Sequence, residues 1–219
     1  MSQPRSLLCI LLFTLCLGQS FAQYIREDWD KRDQWMDVQT IFELAGVNEG
    51  HQVADVGCHE GYLTFHLSRQ VGETGRVYAV DILSYRLENL KEHLKQEKVK
   101  NVAVIQGEED NPKLPENKLD AVIIMDTYHE MENYTEVLFH VKKALKPRGR
   151  ILILEKLKTH KRGKSRKEQT NAHTLSPNYV KKELEEAGFS IVREVHDFGD
   201  WKKEKDKPMW ILVGVSGAL

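Results

Sequence analysis

The most constraining feature of this chain is an apolar run that ends in an acid and is followed by a turn with two glycines. Residues 53–61 read Val-Ala-Asp-Val-Gly-Cys-His-Glu-Gly, and a second apolar run, residues 78–81, ends in Asp81. A helical pattern lies between the two runs. This order predicts a strand, a glycine turn, a helix and a second strand, which is the beginning of a doubly wound α/β sheet.

This arrangement suits a ligand that contains a nucleoside. Gly57 and Gly61 would let the backbone approach the ligand closely, and Asp81 can accept both ribose hydroxyls. Either feature alone is weak evidence, because glycine turns also arise for steric reasons and an aspartate can simply cap a helix. Glu108 and Asp126 also fall at predicted strand ends. Together these residues predict a ligand crevice at the carboxyl edge of the sheet.

Helix and strand patterns alternate from residue 38 onward, which predicts a mostly parallel sheet with helices on both faces. The predicted strands are 52–56, 76–81, 102–105, 119–125, 150–155, 190–195 and 210–215. The predicted helices are 38–45, 62–71, 85–98, 134–145 and 177–187, with Asp37, Ser84 and Ser176 as N-caps of three of them. The short connection before the last strand has no helical period, so that strand is expected to run antiparallel.

The first 22 residues are predicted to be a secretory signal peptide. A basic residue precedes an almost unbroken apolar run, residues 7–17, and Ala22 ends a cleavage site of small residues. Cleavage there would leave one domain, residues 23–219, that is exported to the periplasm or secreted. The apolar run is too short to span a bilayer, so the mature chain is expected to have no transmembrane helix. An uncleaved segment would instead leave a membrane-anchored form.

The charge and the cysteine and histidine pattern argue against a nucleic-acid partner, an internal disulfide and a metal site. The net charge is −1, so no global field attracts a nucleic acid. Cys58 is the one cysteine outside the signal segment, so the mature chain cannot form an internal disulfide. No paired Cys or His residues occur at metal-ligand spacing. His129, Glu130 and His173 form at best a scattered set, so no metal is predicted.

These motifs, in this order, resemble the class I S-adenosylmethionine-dependent methyltransferases, whose seven-stranded Rossmann-like sheet has an antiparallel last strand. The resemblance extends from about Val38 to Val215. Within the family it is strongest to a small group with a signal-like N-terminus and with segments similar to residues 107–115 and 126–130. The resemblance implies S-adenosylmethionine as cofactor and methyl transfer to a small or medium acceptor. The sequence predicts no oligomeric state.

The resemblance also implies roles for individual residues. Asp81 would bind the ribose hydroxyls, Ile82 would pack beside the adenine, and Glu108 would lie near the adenine amino group. His59 stands where the family usually has a third glycine. Its side chain must therefore point away from the ligand or touch it, and in the second case it could donate to the cofactor's carboxylate or narrow the pocket. The full implied cofactor-binding set is Asp55, Gly57, His59, Gly61, Asp81, Ile82, Gly107, Glu108, Glu109 and Asp126.

Polar residues are crowded after the most apolar strand, in residues 126–130. His129 is the candidate general base because its unperturbed pKa lies near neutrality, and Tyr128 is a candidate to orient the acceptor or line the methyl-transfer channel. Alternatively Glu130 and His129 cap the next helix or hydrogen-bond the loop. Methyl transfer often needs little beyond alignment of its reactants, so the reaction need not involve a base. His173 can reach the same crevice, although helix capping is the alternative for it. The basic segment 156–167 is interpreted as a solvated loop or an attractor of acidic substrates.

A second function class stays open on the sequence alone. The chain can be a non-catalytic cofactor- or ligand-binding module on the same fold. Two features support this alternative: His59 replaces a pocket glycine, and the predicted signal peptide directs the protein away from the cytosol, where the cofactor is made.

Overall fold

The computed structural model describes residues 28–217, so the predicted signal segment lies outside the described residues. The chain divides into two compact units, and the second begins at Asp37. In the first unit residues 28–33 are helical, and the Arg32 guanidinium lies 5.7 Å from the centroid of the Trp35 ring. Within the described residues, no helix is long and apolar enough to cross a bilayer.

The second unit contains a seven-stranded sheet in the order β3-β2-β1-β4-β5-β7-β6. Every neighbouring pair is parallel except the two that involve β7, which runs antiparallel to both β5 and β6. This confirms the predicted doubly wound α/β sheet with an antiparallel last strand. The strands are β1 Gln52–Val56, β2 Arg76–Asp81, β3 Val102–Gln106, β4 Leu119–Met125, β5 Leu145–Lys156, β6 Phe189–Val195 and β7 Met209–Ser216.

Six α-helices accompany these strands in the described part of the second unit. They are α1 Val38–Ala45, α2 Tyr62–Val71, α3 Ser84–Gln96, α4 Tyr134–Ala144, α5 Arg166–Thr170 and α6 Pro177–Glu186. Helix α5 was not predicted, because its residues had been interpreted partly as a basic loop. Ser165 and Glu168 form a capping box at its start, which is a local helix signal.

Two of the three predicted N-caps are confirmed and one is wrong. The Asp37 carboxylate accepts the N–H of Thr40 at 3.0 Å, and the Ser176 hydroxyl accepts the N–H of Asn178. Ser84 is already the first residue of α3, whose N-cap is Leu83 with no side-chain cap. The Leu83 N–H instead donates to Asp81, so the start of this helix is tied to the end of β2.

Burial on both faces explains the continuous apolar run of the central strand β4. Val122, Ile123 and Ile124 are fully buried there, as expected for a parallel strand covered by helices on two sides. Because β2, β1, β4 and β5 are adjacent and parallel, their carboxyl ends meet at one edge of the sheet. That edge carries Asp81, the Gly57 turn, Asp126 and Glu155, and it is the place where ligands bind in open α/β sheets.

Candidate functional site

The turn after β1 is held in place by the main chain of β2. The N–H groups of Gly57 and Cys58 both donate to the Val80 carbonyl, at 2.8 and 2.9 Å. Gly57 has a φ of +80°, and a Cβ atom added to it would lie 2.3 Å from the Thr127 Cγ2 atom. This glycine is therefore required by the packing of the protein itself, whether or not a ligand approaches it.

Packing also requires a glycine at position 61, Gly61. Its φ is +102°, and an added Cβ would lie 2.5 Å from a methyl group of Leu90 in α3. Gly61 is also the N-cap of α2, where no side chain forms a cap. The first-turn N–H groups of an α-helix lack intrahelical partners, and the positive end of the helix dipole favours an anion there. This end of α2 therefore suits the carboxylate of a ligand.

Asp81 is held by backbone donors at the end of β2. One carboxylate oxygen accepts the His59 N–H at 3.0 Å, and the other accepts the Leu83 N–H at 2.9 Å. The Arg86 guanidinium lies 4.0 Å away. Each carboxylate oxygen can accept more than one hydrogen bond, so acceptor capacity remains for two ligand hydroxyls.

His59 lies in the turn after β1, between Gly57 and Gly61. Its φ is +52°, so it adopts the left-handed conformation that a glycine would adopt, and its residue surface is exposed. The backbone of the turn is thus kept, and the N–H that a third glycine would supply is directed at Asp81.

Asp55 forms a hydrogen bond that links β1 to the following helix. It is buried, and one of its oxygens accepts the Thr64 hydroxyl at 2.6 Å, which ties β1 to α2. Asp55 aligns with Ala79 in the register of β1 and β2, two residues before Asp81. The structure therefore brings Asp55 and Asp81 to adjacent strands, as the sequence predicted.

The residues predicted to surround an adenine lie next to Asp81. Ile82 is 48% exposed, which is unusual for an isoleucine beside a sheet edge. The Gly107 N–H donates to the Asp81 carbonyl at 3.1 Å and so places the end of β3 beside it. Glu108 and Glu109 are exposed, and the Glu108 carboxylate pairs with the Lys113 ammonium at 2.6 Å.

A second group of polar residues lies at the ends of β4 and β5. The Lys156 ammonium contacts the Asp126 carboxylate and lies 4.7 Å from the centroid of the Trp201 ring. Burial and the nearby charge of Glu155 raise the pKa of Asp126 above its ordinary value, although Lys156 acts in the opposite direction. Asp126 has a φ of +53°, so the chain bends sharply where the strand ends.

His129 lies between two carboxylates in this group. Its Nδ1 atom is 2.9 Å from both oxygens of the fully buried Glu155, and its Nε2 atom is 3.0 Å from Glu130 Oε1. Burial is the largest influence and lowers the pKa of His129. The hydrogen bond to Glu155 and the charges of Glu155 and Asp126 outweigh it, so this pKa lies above its ordinary value.

His173 joins the same group from the loop before α6. Its Nδ1 atom is 2.6 Å from Glu130 Oε1, and its ring stands perpendicular to that of His129 with centroids 5.9 Å apart. The sequence indicated only a scattered set of His129, Glu130 and His173. The structure corrects this prediction, because the ligand-type atoms of all three lie within 4.8 Å of one another.

Tyr128 was predicted to face the acceptor, but the structure places it in the core. It is 0% exposed, and its hydroxyl donates to the Glu183 carboxylate of α6 at 2.9 Å. Burial, with the charge of Glu183, raises the pKa of Tyr128 above its ordinary value. In this position the side chain packs α6 against the turn after β4 and does not line an open channel.

Glu155 and Lys156 are two site residues that the sequence did not predict. Both stand at the end of β5, where the rule that predicts Asp81 and Asp126 applies equally. Lys156 is followed by further basic residues, and this run resembles a loop rather than the end of a strand. That segment is ordered by its own contacts, since the Gln169 amide donates to the carbonyls of Lys161 and Lys164.

The strand order and the antiparallel β7 define the class of fold, that of a Rossmann-like methyltransferase. Comparison with known proteins agrees with this class. The chain belongs to the family described as a methyltransferase domain, which matches residues 47–209. It is thus a member of the S-adenosylmethionine-dependent methyltransferases.

Individual proteins that are similar to this chain are also methyltransferases. The chain is 34% identical over 114 residues to the ubiquinone/menaquinone biosynthesis C-methyltransferase of Pseudomonas aeruginosa, which covers 52% of this chain and 44% of that protein. The chain thus spans less than half the length of the curated relatives it matches. A crystal structure of an S-adenosylmethionine-dependent methyltransferase from Aquifex aeolicus is similar with a TM-score of 0.72 and 27% identity, covering 85% of this chain and 93% of that one.

A further structural neighbour shows likeness of fold alone. Phosphoethanolamine N-methyltransferase 2 of Haemonchus contortus, determined in complex with S-adenosyl-L-methionine, has a TM-score of 0.65 at 14% identity, covering 81% of this chain and 51% of that one. The residues of this chain fit that cofactor. Asp81 supplies an acceptor for a ribose diol, Ile82 supplies an exposed apolar surface, and the start of α2 suits a carboxylate.

Proposed function

We propose that the protein transfers a methyl group from S-adenosylmethionine to a small or medium acceptor. One observation supports this most directly, the Asp81 carboxylate that two main-chain N–H groups hold at the carboxyl end of β2. A carboxylate fixed in this way is oriented for a ribose before any ligand arrives. The exposed Ile82 and the start of α2 lie on either side of it along the chain and complete a site for a nucleoside with a charged amino-acid tail.

The work of the protein in this reaction is binding and alignment. The bound cofactor supplies a methyl group activated by the positive sulfonium. Asp81 would bind the ribose and the start of α2 would favour the carboxylate, and Asp126 and His129 follow β4 at the same edge of the sheet. Holding acceptor and methyl group in line can supply most of the rate enhancement. His129 is the candidate group to take a proton from the acceptor, with Glu155 orienting its ring.

The alternative of a non-catalytic binding module is less well supported. It had two supports, the predicted signal peptide and the replacement of a pocket glycine by His59, and the structure weakens the second. That residue is exposed and keeps the backbone conformation of a glycine, so the replacement leaves the turn intact.

Calorimetric titration of the protein with S-adenosylmethionine and with S-adenosylhomocysteine tests the proposal. We expect saturable binding of both, because the site recognises the nucleoside and the amino-acid tail that they share. NAD is the control ligand and should bind weakly, since it lacks that tail. If neither sulfur nucleoside binds, the proposed function is wrong.

The acceptor is then sought with a labelled methyl group. The names of two of the proteins compared above suggest chemical classes for a first panel, quinone precursors and phosphoethanolamine. Label should appear in one class of product. Binding of the cofactor together with no transfer to any of these or to an extract would favour the binding-module alternative.

Export of the protein is also part of the proposal. It is supported by the apolar run and the small residues before Gln23 in the sequence. N-terminal sequencing of the protein from its native source should find a mature chain that begins at Gln23. A chain that retains the apolar run in a membrane fraction would instead indicate the anchored form.

A further inference from the structure

Three side chains from two distant segments converge beside the proposed methyl-transfer site. His129 and Glu130 belong to the turn after β4, and His173 belongs to the loop that precedes α6. Glu130 Oε1 is 3.0 Å from His129 Nε2 and 2.6 Å from His173 Nδ1. One carboxylate oxygen thus faces two imidazole nitrogens.

The surroundings of His129 are those of a metal-ligating histidine. Its Nδ1 atom lies 2.9 Å from both oxygens of the buried Glu155, so an imidazole that donates from Nδ1 to that carboxylate can offer its Nε2 lone pair to an ion. Nε2 is directed toward Glu130 Oε1, 3.0 Å away, and the ligand atoms of His129, Glu130 and His173 all lie within 4.8 Å of one another. In the ion-free protein a second proton on His129 satisfies the Glu130 contact, and a cation would replace that proton.

The charges around His129 favour a divalent ion. Lys156 contacts Asp126, so the charge of that carboxylate is compensated inside the protein. Glu155 and Glu130 are then two carboxylates that share one imidazole. For the same reason the alternative set of Asp126, His129 and Glu155 is a poorer candidate, because the Lys156 ammonium already supplies its cation.

We propose that His129 Nε2, Glu130 and His173 Nδ1 bind a zinc-type divalent cation, with Glu155 as the buried carboxylate that orients His129. Two imidazoles and one carboxylate are the ligand set of several catalytic zinc sites, in which a further position stays open. A carboxylate that accepts the other N–H of a ligating histidine is the usual partner in such sites.

The geometry needs only a small adjustment to hold the ion. Zn–N and Zn–O bonds of about 2.0–2.2 Å place neighbouring ligand atoms roughly 3.3 Å apart in a tetrahedron. The present separations from Glu130 Oε1 are 2.6 Å to His173 Nδ1 and 3.0 Å to His129 Nε2, so they must lengthen by about 0.7 and 0.3 Å. Glu130 and His173 can move in this way because their side chains are 54% and 67% exposed.

The exposure of the ligands also indicates what the ion would do. The side chain of His129 is only 3% exposed, whereas the other two ligands face solvent, so the open position points outward. An acceptor hydroxyl bound there would lose its proton to solvent. Its oxygen would then form the new bond to the methyl carbon as the carbon–sulfur bond breaks and its electron pair stays on sulfur. This role rests on the proposed function, and it would make His129 a ligand rather than a base.

Zinc titration of the protein, without a polyhistidine tag and in a chelator-buffered series, tests the metal site. We expect one tight site per chain, and the visible spectrum of the cobalt-substituted protein should show the intense bands of a four-coordinate ion. His173→Ala and Glu130→Gln should each weaken zinc binding by at least ~100-fold, more than the loss of an orienting partner costs. His196→Ala removes a histidine of equal exposure elsewhere and should leave zinc affinity unchanged.

The outcomes separate this proposal from the proposed function. Both site variants should bind S-adenosylhomocysteine like the unmodified protein, which also shows that they are folded. The metal site is refuted if the unmodified protein binds zinc no more tightly than His173→Ala and Glu130→Gln do. It is equally refuted if His196→Ala loses as much affinity as they lose. Loss of S-adenosylhomocysteine binding by the unmodified protein would instead count against methyl transfer.

Discussion

Asp81→Asn should weaken S-adenosylhomocysteine binding roughly a hundred-fold. Asp81 is placed to accept both ribose hydroxyls, and a hydrogen bond to a charged group contributes about 1.5–3 kcal/mol. An asparagine keeps one acceptor oxygen but turns a donor toward either the ligand or the backbone N–H groups of His59 and Leu83. The two losses together correspond to about two factors of ten in the dissociation constant. Calorimetric titration of the purified variant measures the change directly.

The chain offers a matched control at the opposite edge of the sheet. Asp120 is also partly buried at one end of a strand, and it accepts the Gln52 N–H at 2.9 Å and pairs with Lys146 at 2.7 Å. Asp120→Asn should therefore lower the free energy of unfolding by about 1–2 kcal/mol. It should leave the affinity for S-adenosylhomocysteine unchanged. If both variants bind S-adenosylhomocysteine equally well, Asp81 does not contact the ribose, and the crevice lies elsewhere.

Gly57→Ala should have the largest effect on stability. The new methyl group would overlap three atoms of Thr127, the nearest at 2.3 Å, and the residue would have to keep a φ of +80°. A left-handed conformation costs a non-glycine residue about 1 kcal/mol, and overpacking in a rigid interior costs about 1–3 kcal/mol more. We expect a loss of about 2–4 kcal/mol in the free energy of unfolding, measured by urea denaturation, together with loss of cofactor binding.

Two further variants separate the causes of this loss. Gly163 has a φ of +72° and no atom within 4 Å of its added Cβ, so Gly163→Ala should cost only the backbone strain. Removing the Thr127 side chain in the double variant Gly57→Ala/Thr127→Gly should abolish the overlap. The loss in the free energy of unfolding is measured for the double variant and for Gly57→Ala and Thr127→Gly alone. The difference between the loss in the double variant and the sum of the two single losses then gives the steric cost. A Gly57→Ala protein as stable as Gly163→Ala would show that the turn is not packed as described.

The sequence was sufficient for the parts of the fold that depend on local patterns. The unit from β1 to β2 and the caps Asp37 and Ser176 were predicted because their signals lie within a few residues of one another. The antiparallel β7 was predicted from the length of the connection before it. Neighbouring Asp55 and Asp81 followed from the rule that parallel strands share one carboxyl edge.

Errors occurred where packing overrides a local signal. Ser84 resembled a cap, but the backbone before α3 is held by Asp81 and the helix begins one residue earlier than predicted. The basic charge of residues 156–167 suggested a solvated loop. In the structure Lys156 is buried against Asp126, and the segment is closed by α5 and by the Gln169 amide.

The sequence by itself determined which residues stand at strand ends, since hydrophobic period and turn residues are properties of short segments. Only the tertiary structure decided where their side chains point. Neighbouring residues in one turn were separated, with Tyr128 turned into the core toward Glu183 and His129 turned toward Glu155. His173 reached Glu130 across 43 positions of sequence. Contacts of this kind, between residues distant in sequence, depend on the register of β4 against β5 and on the path of the following loop. No local sequence pattern encodes either of them.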